Sequence, residues 1–369
     1  MEQQTKQKSI AFYIGSLSRG GAERVIVNLA EYFHSSGYRV TIVTKLQDEV
    51  EYPVPEGVTR ILADITGDEI SKNRITNLYR RIARLRRIWK QLRPDHIVSF
   101  IKKNNFMAIT SSIGMKIPVI VSVRSNPARE YPDKLTRLLV RILFSRAAGV
   151  VLQTQQAVEF FPKVVKKKAV VLPNSLSEQF LQVRYSKARK KEIVWVGRMD
   201  ANKNPKMLLN VFGKIAEQYP DWSLTYIGDG PQLNELKEMC REKPYEKQVT
   251  FLGKIDQVAR EIGAASIFVL TSKQEGMPNA LMEAMVSGLA AISTDCPCGG
   301  PAELIQNEEN GILIPVDDEM ALEAALKRLI DEDAYREKIG ENAKGLIQKV
   351  HPDTVNRQWL EYVESTARR

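Results

Sequence analysis

Short apolar runs, turns and amphipathic segments alternate along this chain, and that alternation constrains the fold more than any other feature. Residues 9–15 form an apolar run that predicts a buried strand. The turn pair Gly20-Gly21 follows, residues 23–35 have helical periodicity, and residues 39–43 form the next strand-like run. A strand, a crossover helix and a second strand predict a parallel, doubly wound sheet.

The same alternation begins again at residue 192, after a polar and aperiodic stretch that predicts a linker. The chain has 369 residues, which is too many for one typical hydrophobic core. We therefore predict an α/β protein with two doubly wound domains, over residues 1–175 and 192–350, joined by a linker over 176–191. Two such domains would face each other across a cleft, and ligands bind at the carboxyl ends of parallel strands.

Charge is unevenly distributed between the two halves of the chain. Residues 1–190 contain 33 Lys and Arg and 15 Asp and Glu, for a net charge of +18, whereas residues 191–369 contain 21 and 29, for a net charge of −8. Such asymmetry indicates that the first half meets a polyanion, which would be a nucleic acid or an anionic membrane surface.

The most basic segment, residues 71–93, contains nine basic residues and no acidic one. Its apolar residues recur at spacings of three and four, which predicts an amphipathic helix. They are Ile75, Leu78, Ile82, Leu85, Trp89 and Leu92. Arg80, Arg84 and Arg87 line the opposite face over about 10 Å and fit a polyphosphate or an anionic head group, although a solvated face has the same pattern. Nucleic-acid binding would call for more aromatic residues among these charges.

Residues 133–146 form a second amphipathic segment. Its apolar residues are Leu135, Leu138, Leu139, Ile142 and Leu143, and its basic residues are Lys134, Arg137, Arg141 and Arg146. Such a helix lies in a membrane interface, or it packs on the core and turns a basic face outward. Core packing is the better interpretation of either segment alone, but two such segments in one half favour association with a surface.

A loop in the second half has the features of an anion site. Residues 267–270 predict a buried strand, and Glu275 and Gly276 follow it. Pro278 stands where a first helical position is expected, and Gly288 where the C-cap is expected. The loop therefore directs backbone N–H groups to the start of a helix, where anions bind.

Two carboxylates accompany this anion site: Glu275 in the loop and Glu283 about two turns further along the helix. Because an anion repels a carboxylate, both make sense if they accept hydrogen bonds from neutral hydroxyl groups of the same ligand. A ligand with phosphate in the middle and hydroxyl-rich rings at its ends is a nucleotide sugar. The alternative is a solvated loop residue and a surface helix position.

Cations for the phosphate are expected on another loop of the same domain. Arg198 follows the predicted strand that ends at Gly197, and Lys203 lies five residues later. Two fixed cations neutralise a diphosphate and the charge that grows on it as a leaving group. Two solvated surface charges would have the same pattern.

The remaining composition predicts a cytoplasmic protein without a metal site. Its three cysteines and three histidines have no ligand-like spacing. No apolar run approaches the roughly 20 residues of a spanning helix. Residues 1–8 are polar, so a signal peptide is not expected.

Together these motifs resemble the retaining GT-B glycosyltransferases of family 4. The resemblance is carried by Gly20-Gly21, by the loop from Gly197 to Lys203, and by Glu275-Gly276-Met277-Pro278 with Glu283. It covers essentially the whole chain. It implies a GT-B fold of two Rossmann-like domains, with a C-terminal helix over residues 351–369 that packs back on the first domain.

The resemblance also implies a role for each motif. Arg198 and Lys203 would hold the donor diphosphate, and Glu283 would hold the ribose. The donor sugar would be held by Glu275 and by the backbone of Gly276, Met277 and Pro278. The acceptor or phosphate would approach Gly20 and Gly21, and the backbone at Gly253 and Lys254 would edge the nucleobase. Arg124 stands where many relatives have a histidine that contacts the donor sugar, which leaves the identity of that sugar open.

The family mechanism is retention by front-face attack, with the leaving phosphate as the base, and it needs no metal and no cofactor besides the UDP-sugar donor. Within the family, residues 71–93 and 100–105 look most like bacterial N-acetylgalactosamine transferases that extend lipid-linked oligosaccharides. This implies a lipid-linked glycan acceptor, whose pyrophosphate Arg80, Arg84 and Arg87 would grip. It also implies a peripheral location on the inner face of the cell membrane.

Two other functions remain open on the sequence. A nucleotide-sugar epimerase or hydrolase on the same fold would share the diphosphate grip, but it should lack the basic and amphipathic helices. A nucleic-acid-binding protein is suggested by the positive first half alone.

Overall fold

The computed structural model describes residues 7–18, 20–182 and 189–366. Backbone contacts divide the chain into two compact units, one formed by residues 1–172 and 355–369 and the other by residues 173–354. Within the described residues, no helix combines the length and the apolar character needed to cross a bilayer.

The first unit contains a seven-stranded parallel sheet in the order β3-β2-β1-β4-β5-β6-β7. Its strands are β1 Ser9–Ile14, β2 Arg39–Thr44, β3 Thr59–Leu62, β4 His96–Phe100, β5 Val119–Ser122, β6 Gly149–Leu152 and β7 Ala169–Val171. The central strands are buried along their whole length, as expected for a parallel sheet that helices cover on both faces.

The helices of the first unit connect these strands. They are α1 Gly21–Ser35, α2 Arg74–Leu92, α3 Lys102–Ser112, α4 Pro127–Glu130, α5 Lys134–Phe144, α6 Gln155–Glu159 and α7 Lys163–Lys166. In α2, Asn73 is the N-cap, and its side chain accepts a hydrogen bond from the Ile75 N–H at 2.8 Å. The predicted amphipathic segments therefore form helices, with slightly later starts than the sequence suggests.

The apolar stripe of α5 does not pack on the core. Only Val140 and Phe144 of this helix are buried, and Phe144 lies in an aromatic cluster with Tyr131 and Phe161 at ring-centre distances of 6.0 and 5.8 Å. The alternative that α5 packs its leucine stripe on the core is therefore excluded. Val140 and Phe144 are buried on the other face of the helix, and Phe144 fixes the helix through this aromatic cluster.

A buried ion pair fastens the loop between β1 and α1. Glu51 has a side-chain exposure of 8% and lies within 2.5 Å of Arg60. The same carboxylate accepts hydrogen bonds from the backbone N–H groups of Leu17 and Asp48, both at 3.0 Å. The Arg60 hydrogen bond and these N–H groups lower the pKa of Glu51 to about 2.

This arrangement predicts a pH-dependent stabilisation of the first unit. Because the folded pKa of Glu51 is depressed, its contribution is present above the unfolded pKa and is lost as the pH falls toward about 2. We expect Glu51→Gln to lower the free energy of unfolding by about 2 kcal/mol at neutral pH. Denaturant unfolding at several pH values should show the difference from the wild type shrinking below pH 4.5, the ordinary value for this group. A difference that is constant with pH would contradict the assignment.

The second unit contains a six-stranded parallel sheet in the order β10-β9-β8-β11-β12-β13. Its strands are β8 Glu192–Val196, β9 Ser223–Ile227, β10 Val249–Gly253, β11 Ile267–Leu270, β12 Ala290–Thr294 and β13 Ile312–Ile314. The chain builds the sheet outward from β8 in one direction and then returns to add β11 on the other side. The strand order therefore reverses between β8 and β11, which is where doubly wound sheets bind their ligands.

The helices of the second unit cover both faces of this sheet. They are α8 Gln179–Gln182, α9 Pro205–Ile215, α10 Leu233–Cys240, α11 Val258–Ala264, α12 Asn279–Val286, α13 Gly300–Leu304, α14 Glu319–Asp331, α15 Asp333–Ala343 and α16 Ile347–Val350. Leu176 and Phe180, from the segment that the sequence assigns to a linker, are buried in the core of this unit. Residues 183–188 of that predicted linker lie outside the described residues.

The last helix, α17 Pro352–Thr366, belongs mainly to the first unit. It adds Val355, Trp359 and Val363 to the first core, and the Trp359 ring stacks on Phe100 at 5.6 Å. The hydroxyl group of Tyr362 accepts a hydrogen bond from the Val150 N–H at 2.9 Å. The end of the described chain is therefore an integral part of the first unit.

Candidate functional site

Two loops of the second unit emerge at the switch point between β8 and β11. The first follows β8 and carries Arg198 and Lys203, and the second follows β11 and carries Glu275. The carboxyl ends of adjacent parallel strands meet at one edge of a sheet, so these loops lie side by side.

Hydrogen bonds join the two loops directly. The Lys273 N–H donates to the Asn202 carbonyl oxygen at 2.7 Å, and the Asn202 side-chain amide donates to the Gln274 carbonyl oxygen at 3.0 Å. The hydroxyl group of Thr271 donates to the Asn204 carbonyl oxygen at 2.8 Å. The loops are therefore fixed to each other by backbone groups as well as by their charged side chains.

Glu275 lies at the centre of this site. Its side chain is only 10% exposed, and its Oε1 atom accepts hydrogen bonds from Lys203 Nζ at 2.5 Å and from Ser272 Oγ at 2.6 Å. Among the described contacts both donors reach Oε1 and none reaches Oε2. The alternative that Glu275 is a solvated loop residue is therefore excluded, and one of its oxygen atoms is left to accept from a ligand.

The direct bond between Lys203 and Glu275 differs from the sequence prediction, which gave the two residues separate partners on the ligand. A lysine ammonium group has three N–H donors, so Lys203 can bond to Glu275 and still offer donors to a phosphate oxygen. The pair therefore links the position expected for a sugar with the position expected for a diphosphate.

The helix after the Glu275 loop begins one residue later than predicted. Pro278 is the N-cap of α12 rather than its first helical residue, because its ψ of 109° is extended. At the other end Ser287 is the C-cap, and Gly288 follows it with φ +80°. The Asn174 side chain donates to the Met277 carbonyl oxygen at 3.2 Å and so holds the loop before the helix.

Three residues near this helix are predicted to contact the ligand, and each is packed closely against its surroundings. Met277 has its side chain buried in the second core, so only its backbone is available to a ligand. Gly276 lies against α13, since a Cβ atom on Gly300 would come within 1.6 Å of the Gly276 carbonyl oxygen. Glu283 is only 7% exposed, which excludes the alternative of a surface helix position.

Arg198 lies at the edge of a cavity of about 500 Å³ at the carboxyl ends of β8, β9 and β10. The cavity is lined by Val196, Gly197, Arg198, Ile227, Gly228, Asp229, Gly230, Lys254, Ile255 and Val258. The side chains of Arg198 and Lys254 are 74% and 83% exposed, so both cations can move toward a bound ligand. The volume is in the range of small-molecule sites.

One part of the cavity wall, the turn from Gly228 to Gly230, is not predicted from the sequence to have a role in the site. The turn Gly228-Asp229-Gly230 was recognisable after a predicted strand, but no role followed from it. Gly228 has φ +132°, and a Cβ atom there would come within 1.9 Å of the Gly197 carbonyl oxygen. Only glycine permits this close approach of the two turns. A glycine directly after each of the two predicted strands was therefore the feature of the sequence that could have identified this wall.

Gly20, Gly21 and Arg124 belong to the first unit. Gly20 is the N-cap of α1, and Gly21 is its first residue. The Arg124 guanidinium group lies 5.8 Å from the centre of the Phe100 ring, and desolvation lowers its pKa to about 9. Arg124 therefore remains mainly protonated at neutral pH.

The arginine row on α2 also belongs to the first unit, and it has counter-charges that the sequence segment does not contain. The Arg84 guanidinium group lies 3.7 Å from the Glu69 carboxylate, and Arg80 donates to the Glu69 carbonyl oxygen. Asp64 pairs with the neighbouring Arg81 at 2.9 Å. Residues 71–93 contain no acidic residue, but acidic residues of the preceding loop reach two arginines of this helix.

In the described part of the chain, no group of three or more His, Cys, Asp and Glu residues is arranged to hold a metal ion. The three cysteines are buried and are not in disulfides.

Two domain families match the chain. The family described as "Glycosyl transferase 4-like domain" matches residues 20–175, and "Glycosyl transferases group 1" matches residues 177–346.

Curated relatives match over nearly the whole length. A Campylobacter jejuni GalNAc-alpha-(1->4)-GalNAc-alpha-(1->3)-diNAcBac-PP-undecaprenol alpha-1,4-N-acetyl-D-galactosaminyltransferase is 26% identical, over 96% of this chain and 98% of that protein. The amylovoran biosynthesis glycosyltransferase AmsD of Erwinia amylovora is 24% identical, over 94% and 96%.

Solved structures share the fold. Anabaena Alr3699/HepE in complex with UDP and glucose has a TM-score of 0.79 at 17% identity, over 96% of this chain and 99% of that chain. The lipopolysaccharide outer core galactosyltransferase WaaB also has a TM-score of 0.79, at 19% identity, over 97% and 99%. The two matched domains together span most of the chain, so this protein consists of a glycosyl transferase 4-like domain followed by a glycosyl transferases group 1 domain, and it has the GT-B fold.

Proposed function

We propose that this protein is a retaining hexosyltransferase that moves a hexose or an N-acetylhexosamine from a UDP-sugar to a lipid-linked or polysaccharide-precursor acceptor in cell-envelope glycan assembly. The observation that carries the proposal is the contact of Lys203 with Glu275 at the switch point of the second unit. The Lys203 ammonium group suits a diphosphate, and the Glu275 carboxylate suits a sugar hydroxyl group.

The donor would lie along the carboxyl edge of the second sheet. The diphosphate lies near Arg198 and Lys203, the sugar hydroxyls bond to Glu275 Oε2 and to the backbone at Gly276, and the ribose bonds to Glu283. The nucleobase enters the cavity lined in part by Lys254 and lies beside the backbone of Gly253 and Lys254. Support comes from that cavity and from Alr3699/HepE, a structural neighbour solved with UDP.

Transfer proceeds with retention, and the leaving phosphate oxygen takes the proton of the attacking hydroxyl group on the same face of the sugar. Lys203 and Arg198 stabilise the negative charge that develops on the leaving diphosphate. Glu275 is held by Lys203 and Ser272 as a hydrogen-bond acceptor, and it positions the sugar without acting as a nucleophile. We propose that no metal and no further cofactor takes part, so that a chelator leaves the rate unchanged.

The acceptor is proposed from the relatives and from the charge of the first unit. The Campylobacter relative is named for an undecaprenol-diphosphate-linked substrate, and α2 offers Arg80, Arg84 and Arg87 for such a diphosphate. The enzyme would work in the cytoplasm as a peripheral protein on the inner face of the cell membrane, and it would bind no nucleic acid. Binding of oligonucleotides at physiological salt would contradict that last point.

A ligand screen tests the donor. UDP and a panel of UDP-sugars should raise the thermal unfolding temperature, whereas GDP should not, because a ligand that binds only the folded state stabilises it by mass action. An assay with and without a glycolipid acceptor then separates transfer from epimerisation or hydrolysis, and the anomeric configuration of the product tests retention. Failure of every UDP compound to stabilise the protein would contradict the proposal.

The arginine row gives a prediction for the acceptor. Neutralising the row with Arg80→Gln, Arg84→Gln and Arg87→Gln should raise the acceptor KM about 10- to 100-fold, since each charge-assisted bond to phosphate contributes about 1 kcal/mol or more at such exposed positions. The affinity for UDP, measured by calorimetry, should not change. A matched control removes three other cations of the same unit, with Lys116→Gln, Lys163→Gln and Lys167→Gln. Unchanged acceptor kinetics in the row variant would contradict the assignment.

A further inference from the structure

Helix α5 turns an apolar face to solvent. The exposed fractions are 66% for Leu135, 51% for Leu138, 36% for Leu139 and 42% for Ile142. These positions are spaced three and four residues apart, so they form one continuous stripe along the helix. A stripe of four large aliphatic side chains on a single helix is more than the scattered exposed residues that an ordinary surface contains.

Basic residues follow the edge of that stripe. Lys134, Arg137 and Arg141 are also spaced three and four apart and are exposed, and α5 contains no acidic residue. The guanidinium group of Arg137 is held in place because its Nε atom donates a hydrogen bond to the Tyr131 carbonyl oxygen at 3.1 Å. The helix thus has an apolar face, a basic flank and a buried face held by Val140 and Phe144, which is the arrangement of a helix that lies in a membrane interface.

The first half of α2 has a second exposed apolar cluster. Ile75 is 77% exposed, Leu78 is 50% exposed and Tyr79 is 72% exposed, whereas Leu85 and Trp89 further along the helix are buried. Helices α2 and α5 both pack against α3. Helix α2 connects β3 to β4 and helix α5 connects β5 to β6, and both connections run in the same direction across the sheet. Right-handed crossovers that run in the same direction place their helices on the same face of the sheet.

We propose that these two clusters form one membrane-docking surface, made of Ile75, Leu78, Leu135, Leu138, Leu139 and Ile142, which lies on an anionic bilayer. The apolar side chains enter the boundary between head groups and acyl chains, and the basic flank of α5 bonds to anionic head groups. The inference rests on the proposed function only in that a lipid-linked acceptor would be met at the same surface.

Charge decides between a bilayer and a second copy of the chain. Two α5 helices placed face to face would bring their basic flanks together with no acidic residue of either α5 helix to compensate. An anionic lipid surface supplies the missing charge, and the long lysine and arginine side chains can reach it while the leucine side chains are buried.

Vesicle flotation without donor or acceptor tests the surface. The wild-type protein should float with vesicles of phosphatidylcholine and phosphatidylglycerol in equal amounts, and much less with phosphatidylcholine alone. The triple variant Leu135→Ser, Leu138→Ser and Ile142→Ser should lower binding about 100-fold, because three aliphatic groups no longer leave water. Lys134→Gln with Arg141→Gln should lower binding to the anionic vesicles about tenfold, with little change on neutral ones.

Controls separate docking from folding and from catalysis. Met320→Ser removes a side chain that is 82% exposed in the second unit and should bind vesicles like the wild type. Leu138→Trp should still bind, and its fluorescence should shift to shorter wavelength on anionic vesicles. Transfer to a water-soluble short-chain acceptor should be unchanged in the triple variant. If the protein binds vesicles but no UDP-sugar stabilises it against thermal unfolding, the proposed donor is refuted and the docking surface is not.

Two results would overturn the docking surface. One is equal flotation of the wild-type protein and the triple variant. The other is a wild-type dimer in sedimentation that becomes a monomer in the triple variant while neither floats, because a second copy would then be the occupant of the face.

Discussion

Glu275→Gln should lower kcat about 100- to 1000-fold while the affinity for UDP stays nearly unchanged. The amide keeps the shape of the side chain but removes its charge, so it accepts only weakly from the sugar hydroxyl that is proposed to bond to Oε2. UDP lacks the transferred sugar, so its binding does not depend on that contact. Lys203, which bonds to Glu275 Oε1 at 2.5 Å, loses its anionic partner and remains available to the diphosphate.

The measurements are steady-state kinetics with a UDP-sugar and calorimetric titration with UDP. Glu217→Gln is the matched control, since it removes an exposed carboxylate of the same unit and should change neither quantity. A collapse of UDP binding in Glu275→Gln would mean that the roles of Glu275 and Glu283 are assigned the wrong way round.

The positions of the loops could be predicted from the sequence, because each one follows a recognisable buried strand. The apolar run before Glu275 and the one before Arg198 are continuous enough to identify parallel strands. What the sequence does not contain is the strand order. Only the sheet reveals that β8 and β11 are neighbours, and with it the switch point that brings Lys203 to Glu275 across 72 residues of chain.

The orientation of a helix was the least predictable feature. Helical periodicity identifies the apolar stripe of α5, but it does not determine whether that stripe faces the core or the solvent. The aromatic contacts of Phe144 decide this, and they depend on Phe161, which lies outside the periodic segment. In the same way, the carboxylates beside Arg81 and Arg84 of α2 belong to Asp64 and Glu69, which lie outside the periodic segment.

Lys203→Met should lower kcat/KM about 1000-fold and, unlike Glu275→Gln, should also weaken UDP binding. Methionine has nearly the length of the lysine stem but no charge, so the diphosphate loses one of its two proposed cations in the ground state and in the transition state. The change also leaves Glu275, whose side chain is 10% exposed, without its charged partner. We therefore expect the free energy of unfolding to fall by about 2 kcal/mol in the absence of ligand.

Lys214→Met is the matched control for that loss of stability. Lys214 pairs with Glu319 at 2.7 Å, but the side chains in this pair are 52% and 34% exposed, and exposed pairs contribute little. The double variant Lys203→Met with Glu275→Gln completes a cycle that measures the coupling between the two side chains. If the pair acts as one unit, the double variant should be hardly slower than Lys203→Met alone. Additive losses would mean that the two side chains act independently of each other. UDP binding that survives Lys203→Met would mean that Arg198 holds the diphosphate without Lys203.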